Sequence, residues 1–311
     1  KKRTAFAKSD TGKQIMTAMI DAVRRKEASG MVERFSHHSF LTLRLCGNIC
    51  CGCVIRDEYS QETVELPGDA VIVATGGMHG LFGNTTGSLS NTGEVTAELF
   101  RLGVPLANGE MIQYHPTTVK CGGKRMLISE AARGEGGRLF AMKDGKQWYF
   151  MEEKYPELGN LMPRDITARE IWKVSHESEV FLDMTEISEE IISNKLSGLA
   201  DDCMTYLHKD IRKEPVSVLP GIHYFMGGIL VDEQHRTPIQ NLYAAGECCA
   251  QYHGANRLGG NSLLGALYGG RVAAKSACEQ ADVVDLSCAT QIDFPPASQI
   301  SEIKQLNKVM Q

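Results

Sequence analysis

The stretch HGANRLGGNSLLGAL, residues His253–Leu267, is the part of the sequence from which the fold is best understood. Three glycines and Arg257 precede the polar pair Asn261 and Ser262, and an apolar helix is predicted from there to about Cys278. Glycine lets a backbone approach a ligand closely, and a helix start attracts negative groups through its free N–H groups and its dipole. Arg257 adds a charged fork that matches a carboxylate. The pattern predicts a helix start, capped by Asn261 and Ser262, that faces an anionic or electron-rich ligand. A glycine-rich helix start without a ligand is the alternative.

Composition limits the class of protein. The chain has 311 residues, of which 42% are hydrophobic and 23% charged, as is usual for a soluble globular protein of about two domains. Its 33 basic and 38 acidic residues give a net charge of −5, so no basic surface indicates nucleic-acid binding. The sequence has no run of about 20 apolar residues and therefore predicts no membrane span.

The ten cysteines do not follow the spacing of a small disulfide scaffold or of a paired CxxC zinc site. Their spacing favours reduced thiols in a reducing compartment. Four of them lie between Cys46 and Cys53, around a Gly-Asn turn. Apolar, partly β-branched runs flank this turn, about Phe40–Cys46 and Ile49–Asp57, and predict an antiparallel hairpin. A metal site at these cysteines is the alternative.

Both ends of the chain indicate a piece of a longer protein. The chain begins KKRTAFAKSD, without an initiator methionine or an apolar signal region. A helix is predicted next, from about Thr11 to Glu27, and Gly30 follows its end. Residues 281–311 contain a Pro-Pro break and a last helical pattern without partners. We therefore expect both ends to be truncated, with residues 281–311 beginning a C-terminal helical region.

Glycine-rich strands predict an α/β domain on both sides of a different central region. DAVIVATGG, Asp69–Gly77, is a short apolar run ending in Gly-Gly, which is typical of a buried parallel strand with a ligand at its carboxyl end. A helix is predicted at about Val95–Leu102. After His223 come GGILVD, NLYAAGE and the stretch quoted above. The chain contains no strand–GxGxxG–helix unit, so the usual diphosphate cradle is missing.

The central region, residues 112–224, is richer in charge and mixes helices with a strand. Helical patterns are predicted at Thr167–Lys173 and Glu189–Leu207, and a strand at Val180–Met184. The sequence thus predicts one α/β domain, residues 1–111 and 225–280, that is interrupted by an inserted domain.

Four polar clusters carry the chemistry, and they are QYHPT (113–117), SEAARGEGG (129–137), PRD (163–165) and GIHYFMGG (221–228). With Arg257 they supply two histidines, three arginines and a serine, a set that suits a small dianion with two carboxylates. Arg164 lies at a predicted helix start, where a cation is unfavourable unless it serves an anion. Structural roles are the alternative: hydrogen-bonded histidines, a surface pair of Arg164 and Asp165, and a helical salt bridge between Glu130 and Arg133.

In this order the motifs resemble those of the flavoprotein subunits of fumarate reductase and succinate dehydrogenase. The resemblance runs from about Arg3 to about Gln280, through QYHPT, SEAARGEGG, PRD, HYFMGGI, LYAAGE and HGANRLGGNSLL. It implies an α/β fold class in which an incomplete FAD-binding domain is interrupted by an inserted α+β capping domain. Residues 1–111 and 225–280 would form the FAD-binding domain without its GxGxxG portion, and residues 112–224 the capping domain.

The resemblance also implies roles for individual residues. Arg164 would move a proton to or from a substrate carbon, with Glu130 and Arg133 as the relay to it. The substrate carboxylates would be held by His115, Ser129, His223 and Arg257. FAD contacts would come from Ala74, Thr75, Gly76 and Gly77, and from Glu94, Glu247, Ser262 and Leu263. The chain departs from the family in Ser129, where many members have threonine, and in Gly93-Glu94-Val95, where Gly-Asp-Gly is usual.

The implied activity is the interconversion of fumarate and succinate, with hydride transfer at FAD N5 and proton transfer through Arg164. Arginine rarely releases a proton, since its pKa lies above about 12, so Arg164 would need neighbouring cations and reprotonation through Glu130. L-aspartate oxidase and reductases of other unsaturated carboxylates share the motifs and stay open, although Met226 favours the fumarate and succinate enzymes. A non-catalytic, carboxylate-binding fragment is the alternative of another class.

The expected cofactor of the parent enzyme is FAD, which this chain alone would bind weakly because the GxGxxG cradle is missing. We expect the chain by itself to be inactive. The expected partners are a dicarboxylate substrate, an iron–sulfur subunit and a membrane anchor, with no nucleic acid and no metal. The expected location is cytoplasmic, with membrane association through partner subunits.

Overall fold

The computed structural model describes residues 11–281, and the predictions for residues 1–10 and for the C-terminal tail fall outside them. Within this range the helices are α1 (Thr11–Ala28), α2 (His79–Phe82), α3 (Glu94–Arg101), α4 (Glu130–Gly134), α5 (Phe150–Lys154), α6 (Arg164–Val174), α7 (Glu189–Lys195), α8 (Ser197–Leu207) and α9 (Asn261–Gln280). The strands are β1 (His38–Cys46), β2 (Ile49–Asp57), β3 (Thr63–Pro67), β4 (Val71–Val73), β5 (Leu106–Ala107), β6 (Ile112–Cys121), β7 (Lys124–Leu127), β8 (Arg138–Lys143), β9 (Lys146–Trp148), β10 (Val180–Asp183), β11 (Val216–Ser217), β12 (Leu219–Phe225), β13 (Gly228–Ile229) and β14 (Leu242–Ala244). Single 3₁₀ turns lie at Gly159–Leu161 and Gly246–Cys248.

These residues divide into two compact units. The first unit comprises Asn84–Thr86 and Tyr114–His223, together with residues 11–32. The second unit comprises Glu33–Gly83 and Gly87–Gln113, together with residues 224–281.

The second unit contains the predicted hairpin and the predicted parallel strand. β1 and β2 pair antiparallel, as the sequence predicts, and β3 extends them to a three-stranded sheet. The strand predicted in DAVIVATGG is β4, and it pairs in parallel with β14. Side chains from both sheets and from α3 join one core, in which Leu43, Leu99 and Leu242 are at most 1% exposed. Because β4 and β14 are parallel, the turns ATGG and AAGE leave them at the same edge.

Helix α9 begins where the sequence predicts, but its predicted cap is wrong. The N-cap residue is Gly260, and no side chain caps the helix. Gly260 has φ 79°, a left-handed conformation that costs other residues roughly 1–2 kcal/mol. Asn261 and Ser262 already belong to the first turn, so their side chains do not stand at the position from which a cap reaches the free N–H groups.

The first unit contains a four-stranded sheet, ordered β11-β10-β8-β9, and a three-stranded sheet, ordered β12-β6-β7. Strand β10 and helix α6 lie at their predicted positions. The single helix predicted over Glu189–Leu207 is wrong, because α7 and α8 are separated at Leu196. Leu196 has φ −120°, and its N–H donates to the Ile192 carbonyl to end α7. Its buried side chain fixes this break in the core, which overrides the helical pattern of the sequence.

Helix α1 forms at its predicted position, and none of its residues is buried. Its apolar stripe is therefore exposed, with Met16, Met19 and Val23 each about half exposed at 52%, 49% and 49%. None of the helices between Thr11 and Gln280 combines the length and the hydropathy that crossing a bilayer requires.

Eight cysteines of residues 11–281 are free, whereas Cys46 is disulfide-bonded. The prediction of reduced thiols is therefore wrong at Cys46. Burial raises the pKa of the Cys50 thiol to about 11, so this neighbour in the hairpin stays protonated at neutral pH.

Candidate active site

Arg164 and Glu130 form a bidentate ion pair in the first unit. Arg164 is the first residue of α6, and Glu130 is the first residue of α4. The Arg164 Nε donates to Glu130 Oε1 at 2.7 Å, and its Nη2 donates to Oε2 at 2.8 Å. The Arg164 side chain is 11% exposed and that of Glu130 is 39% exposed. Two parallel hydrogen bonds fix the guanidinium plane, and the partly open carboxylate keeps access to solvent.

Arg133 lies one helical turn after Glu130 and shares its carboxylate. Its Nη2 is 3.5 Å from Glu130 Oε1, and its Nη1 donates to the Asn160 carbonyl at 2.6 Å. Burial lowers the pKa of Arg133; Glu130 opposes this effect and Arg164 adds to it. One carboxylate therefore lies between two guanidinium groups, and the helical salt bridge is part of this cluster.

His115 and His223 are neighbours because β6 and β12 are adjacent strands. Their ring centroids are 5.2 Å apart, at an interplanar angle of 68°. The His115 Nδ1 is 3.1 Å from the carbonyl oxygen and 3.3 Å from the amide nitrogen of Thr117, so either tautomer finds a partner. Burial lowers the pKa of His115 well below 6.5, and His223, Arg164 and Arg133 lower it further. His115 is therefore neutral at pH 7 and can donate one hydrogen bond without adding charge.

Ser129 and His223 are the remaining residues of the first unit that the sequence predicts to bind the substrate carboxylates. Ser129 is the N-cap of α4, and its hydroxyl accepts the Ala131 N–H at 3.2 Å. The Ser129 O–H remains able to donate elsewhere. The Thr86 hydroxyl lies 2.8 Å from His223 Nδ1 and orients that ring. The first unit thus places a serine hydroxyl, two imidazoles and two guanidinium groups on neighbouring elements.

Arg257 belongs to the second unit, where it is only 3% exposed. Its guanidinium carbon lies 4.5 Å from the centroid of the Tyr224 ring, a cation–π geometry. The Gln113 side-chain amide donates to the Arg257 carbonyl at 2.7 Å and to Asn256 Oδ1 at 2.9 Å. The loop HGANRLGG is therefore held through its backbone, and the Arg257 side chain through the Tyr224 ring.

Glu247 is held at the glycine turn that ends β4. Its Oε1 lies 2.9 Å from His79 Nε2 and accepts the Phe225 N–H at 3.0 Å. A Cβ added to Gly77 would lie 2.8 Å from Phe225 Cδ2 and would overlap the Glu247 carboxylate, so the turn requires glycine there. The Asn91 amide donates to the Thr75 carbonyl and secures the same turn.

The other predicted cofactor contacts lie at two helix starts. Glu94 is the first residue of α3, after Gly93 with φ 83°. Ser262 and Leu263 are half-buried in the first turn of α9. Their neighbouring N–H groups have no partners within the helix, which suits polar or anionic parts of a ligand. Together with the glycine turn, these helix starts fit the demands of FAD, which needs close backbone approach and N–H donors.

The sequence predicted no role for three residues that contact the predicted site residues, namely His79, Gln113 and Tyr224. His79 and Glu247 are 168 positions apart, so no local spacing reports their contact. Gln113 and Tyr224 lie inside the quoted motifs QYHPT and GIHYFMGG, which is the signal that could have identified them.

The parallel strand pair, with glycine turns at one edge and helix starts bearing free N–H groups, defines the class of a cofactor-binding α/β protein. A model of the family described as "FAD binding domain" matches residues 1–263. The chain belongs to the FAD binding domain family.

Individual relatives confirm the predicted resemblance to succinate dehydrogenase and fumarate reductase flavoprotein subunits. The succinate dehydrogenase flavoprotein subunit of Bacillus subtilis (strain 168) is 42% identical over 294 residues, covering 92% of this chain and 50% of that protein. An L-aspartate oxidase of Clostridium perfringens is 35% identical over 272 residues, covering 85% and 58%. A structure of E. coli quinol fumarate reductase FrdA matches with a TM-score of 0.83 and 29% identity, covering 97% of this chain and 53% of that one. The chain spans about half the length of the curated relatives it matches.

Proposed function

We propose that this chain is part of the flavoprotein component of an enzyme that interconverts fumarate and succinate, with FAD as its cofactor. The observation that carries the proposal is the bidentate Arg164–Glu130 pair, with Arg133 on the same carboxylate. A simple surface ion pair consists of one cation and one carboxylate. Here a second guanidinium, that of Arg133, contacts the same carboxylate, and its side chain is only 3% exposed. Relatives named succinate dehydrogenase and fumarate reductase flavoprotein subunits support the same activity.

In this proposal Arg164 exchanges a proton with one substrate carbon, and Glu130 restores the proton to it. The contacts of 2.7 and 2.8 Å support this proposal, because they would give the proton a direct path between the two side chains. Glu130 is open enough at 39% exposure to exchange with solvent. Arg133 competes for the same carboxylate, so Glu130 does not fully neutralise either guanidinium.

The substrate would be a dicarboxylate. His115, Ser129 and His223 would donate hydrogen bonds to its carboxylates, and Arg257 would supply a permanent charge. Because His115 is neutral, it can donate a hydrogen bond without adding a positive charge that would slow release of the product dianion. Hydrogen-bond donors at both carboxylates, together with the positive charge of Arg257, would stabilise the carbanion character that develops between them.

FAD, when bound, would supply hydride exchange with the other substrate carbon. The residues that would hold it are Ala74, Thr75, Gly76, Gly77, Glu94, Glu247, Ser262 and Leu263. The geometry of this turn supports the assignment, because Ala74 and Thr75 are exposed and Gly77 leaves room for the Glu247 carboxylate beside it.

Residues 112–224 would act as the capping domain, and residues 1–111 with 225–280 as the FAD-binding domain. An iron–sulfur subunit and a membrane anchor would be partners of the full enzyme. The enzyme would be cytoplasmic and would associate with the membrane through these partners.

The experiment replaces Arg164 by lysine in the enzyme that contains this chain. Turnover of succinate and of fumarate should fall by about 10²–10⁴-fold, while the flavin absorbance of the purified enzyme stays unchanged. Arg138→Lys is the matched control, because Arg138 forms a bidentate pair with Glu152 in the same unit, at 2.9 and 2.6 Å. Near-normal turnover of Arg164→Lys would refute the proposed role.

L-aspartate oxidase is the second candidate, since one relative of that name is 35% identical. Turnover of L-aspartate, but not of succinate, by the intact enzyme would favour it. The isolated chain would have no turnover and little FAD in our proposal. A flavin absorption band that survives desalting of this chain would contradict that part.

A further inference from the structure

Arg125 is a buried cation that the proposed activity does not use. It lies on β7 in the first unit and is only 9% exposed. Its Nε donates to the Thr118 hydroxyl, and its backbone N–H donates to the Thr85 carbonyl at 2.9 Å. Among residues 11–281, no carboxylate forms a salt bridge with it. A buried charge without a counter-ion is unfavourable, and burial accordingly lowers the pKa of Arg125.

The position of this guanidinium is determined by its neighbours. The Thr118 hydroxyl accepts the hydrogen bond from Arg125 Nε and itself donates to the Leu219 carbonyl at 2.7 Å. A Cβ added to Gly221 would lie 2.7 Å from Arg125 Cδ and 2.8 Å from Thr118 Oγ1, so glycine leaves the space that the Arg125 stem fills. With Nε occupied, the two terminal nitrogens are the donors that remain for a ligand, and such a pair matches a carboxylate or a phosphate.

Arg125 lines a cavity of about 460 Å³, a volume within the range of small-molecule binding sites. No Asp or Glu of the described residues lines it. Its other walls include Asn84, Tyr114, Trp172, Ser175 and His176.

Two aromatic side chains in the wall of this cavity are exposed to solvent. Trp172 and Tyr114 are 58% and 46% exposed. The His176 ring packs edge-on against Trp172, with centroids 4.3 Å apart, and His176 Nδ1 donates to the Trp172 carbonyl at 2.7 Å. This bond leaves His176 Nε2 as a second polar group. A neighbouring cavity of about 360 Å³ also touches Arg125 but contains Asp202, which disfavours an anion there.

We propose that the Arg125 cavity is a second binding site, for an organic anion whose carboxylate or phosphate binds Arg125 and whose planar ring packs against Trp172 and Tyr114. This site lies on elements other than those of the Arg164–Glu130 pair, apart from the end of α6, and does not depend on the proposed activity. Ring stacking and a two-bond ion contact are the interactions that the cavity offers.

The test measures binding to this chain with three probes: benzoate, phenyl phosphate and the neutral benzamide. The chain has two tryptophans, so the Trp148→Phe background leaves Trp172 as the fluorescent reporter. Benzoate or phenyl phosphate should change Trp172 fluorescence saturably, and benzamide should bind at least about tenfold more weakly. Arg125→Gln should weaken the anion at least about tenfold, whereas Lys124→Gln, the neighbouring exposed cation on β7, should not.

Gly221→Ala and Trp172→Leu provide a second line of evidence if Arg125→Gln does not fold. Gly221→Ala should weaken both anions, and Trp172→Leu, at an exposed position, should weaken them in a calorimetric titration while leaving the fold intact by circular dichroism. Equal binding of benzoate and benzamide, equal effects of Arg125→Gln and Lys124→Gln, or no saturable binding of either anion would overturn the proposal.

Discussion

Arg164 and Glu130, the first residues of α6 and α4, are joined by two hydrogen bonds of 2.7 and 2.8 Å. Helix starts normally disfavour a cation, because the dipole there is positive. The carboxylate of Glu130, at another helix start, compensates for this and aligns the guanidinium plane. The ion pair therefore stabilises Arg164 at a helix start that would otherwise disfavour its charge.

Glu130→Gln should reduce turnover in the intact enzyme by about 10²-fold or more, because the amide cannot return a proton to Arg164. FAD content should not change, since Glu130 lies in the first unit. Steady-state kinetics with succinate and fumarate measure the effect. Glu152→Gln removes the comparable pair with Arg138 and should leave turnover near that of the unaltered enzyme. Equal losses in both variants would contradict the relay.

The unfolding free energy should fall with pH below about 6.5, partly because of His115. Its pKa in the folded protein is well below 6.5, so the unfolded chain takes up a proton first as the pH decreases. This histidine contributes a slope of at most about 1.4 kcal/mol per pH unit. Urea titrations at several pH values should show a shallower slope for His115→Gln. The exposed control His208→Asn, at a position with φ 56°, should keep the original slope. Identical slopes for all three proteins would contradict the low pKa of His115.

Gly77→Ala should destabilise the fold by about 1–3 kcal/mol, as overpacking does. The added Cβ would lie 2.8 Å from both Phe225 Cδ2 and Glu247 Cδ. Denaturant unfolding measures the loss, and the flavin content of the intact enzyme should fall with it. Gly109→Ala is the control, since a Cβ there meets no atom within 4 Å. A Gly77→Ala protein as stable as Gly109→Ala would disprove the tight contact.

Tyr224→Leu should raise the KM for the dicarboxylate by about 2- to 30-fold, because the Arg257 guanidinium loses its aromatic support. Tyr224→Phe retains the ring and should behave like the unaltered enzyme. A change in kcat without a change in KM would argue against a role of Arg257 in binding.

Several features followed directly from local sequence patterns. The Gly-Asn turn between two apolar runs predicted the β1–β2 hairpin, and the apolar run before Gly76 and Gly77 predicted the parallel strand β4. These signals are short-range, since a turn type and a hydrophobic period depend on adjacent residues. The functional motifs were equally visible, but their roles came from a resemblance and stay predictions until the variants above are measured.

Other features depend on contacts between distant residues. The helical pattern at Glu189–Leu207 did not show the break at Leu196, because the buried position of that side chain is set by the core of the first unit. The cap of α9 is Gly260 rather than Asn261 or Ser262, because the path of the preceding loop decides which residue is left-handed.

The sequence by itself determined the hairpin, the glycine turns and the residue types of a dicarboxylate site. Only the tertiary structure decided that Glu130 serves Arg164 and Arg133 together, that Glu247 faces His79, and that Arg125 is buried without a salt-bridge partner among residues 11–281. The physical reason is the range of the interactions. Turns and periodic patterns are local, whereas ion pairs and burial depend on which distant segments the fold brings into contact.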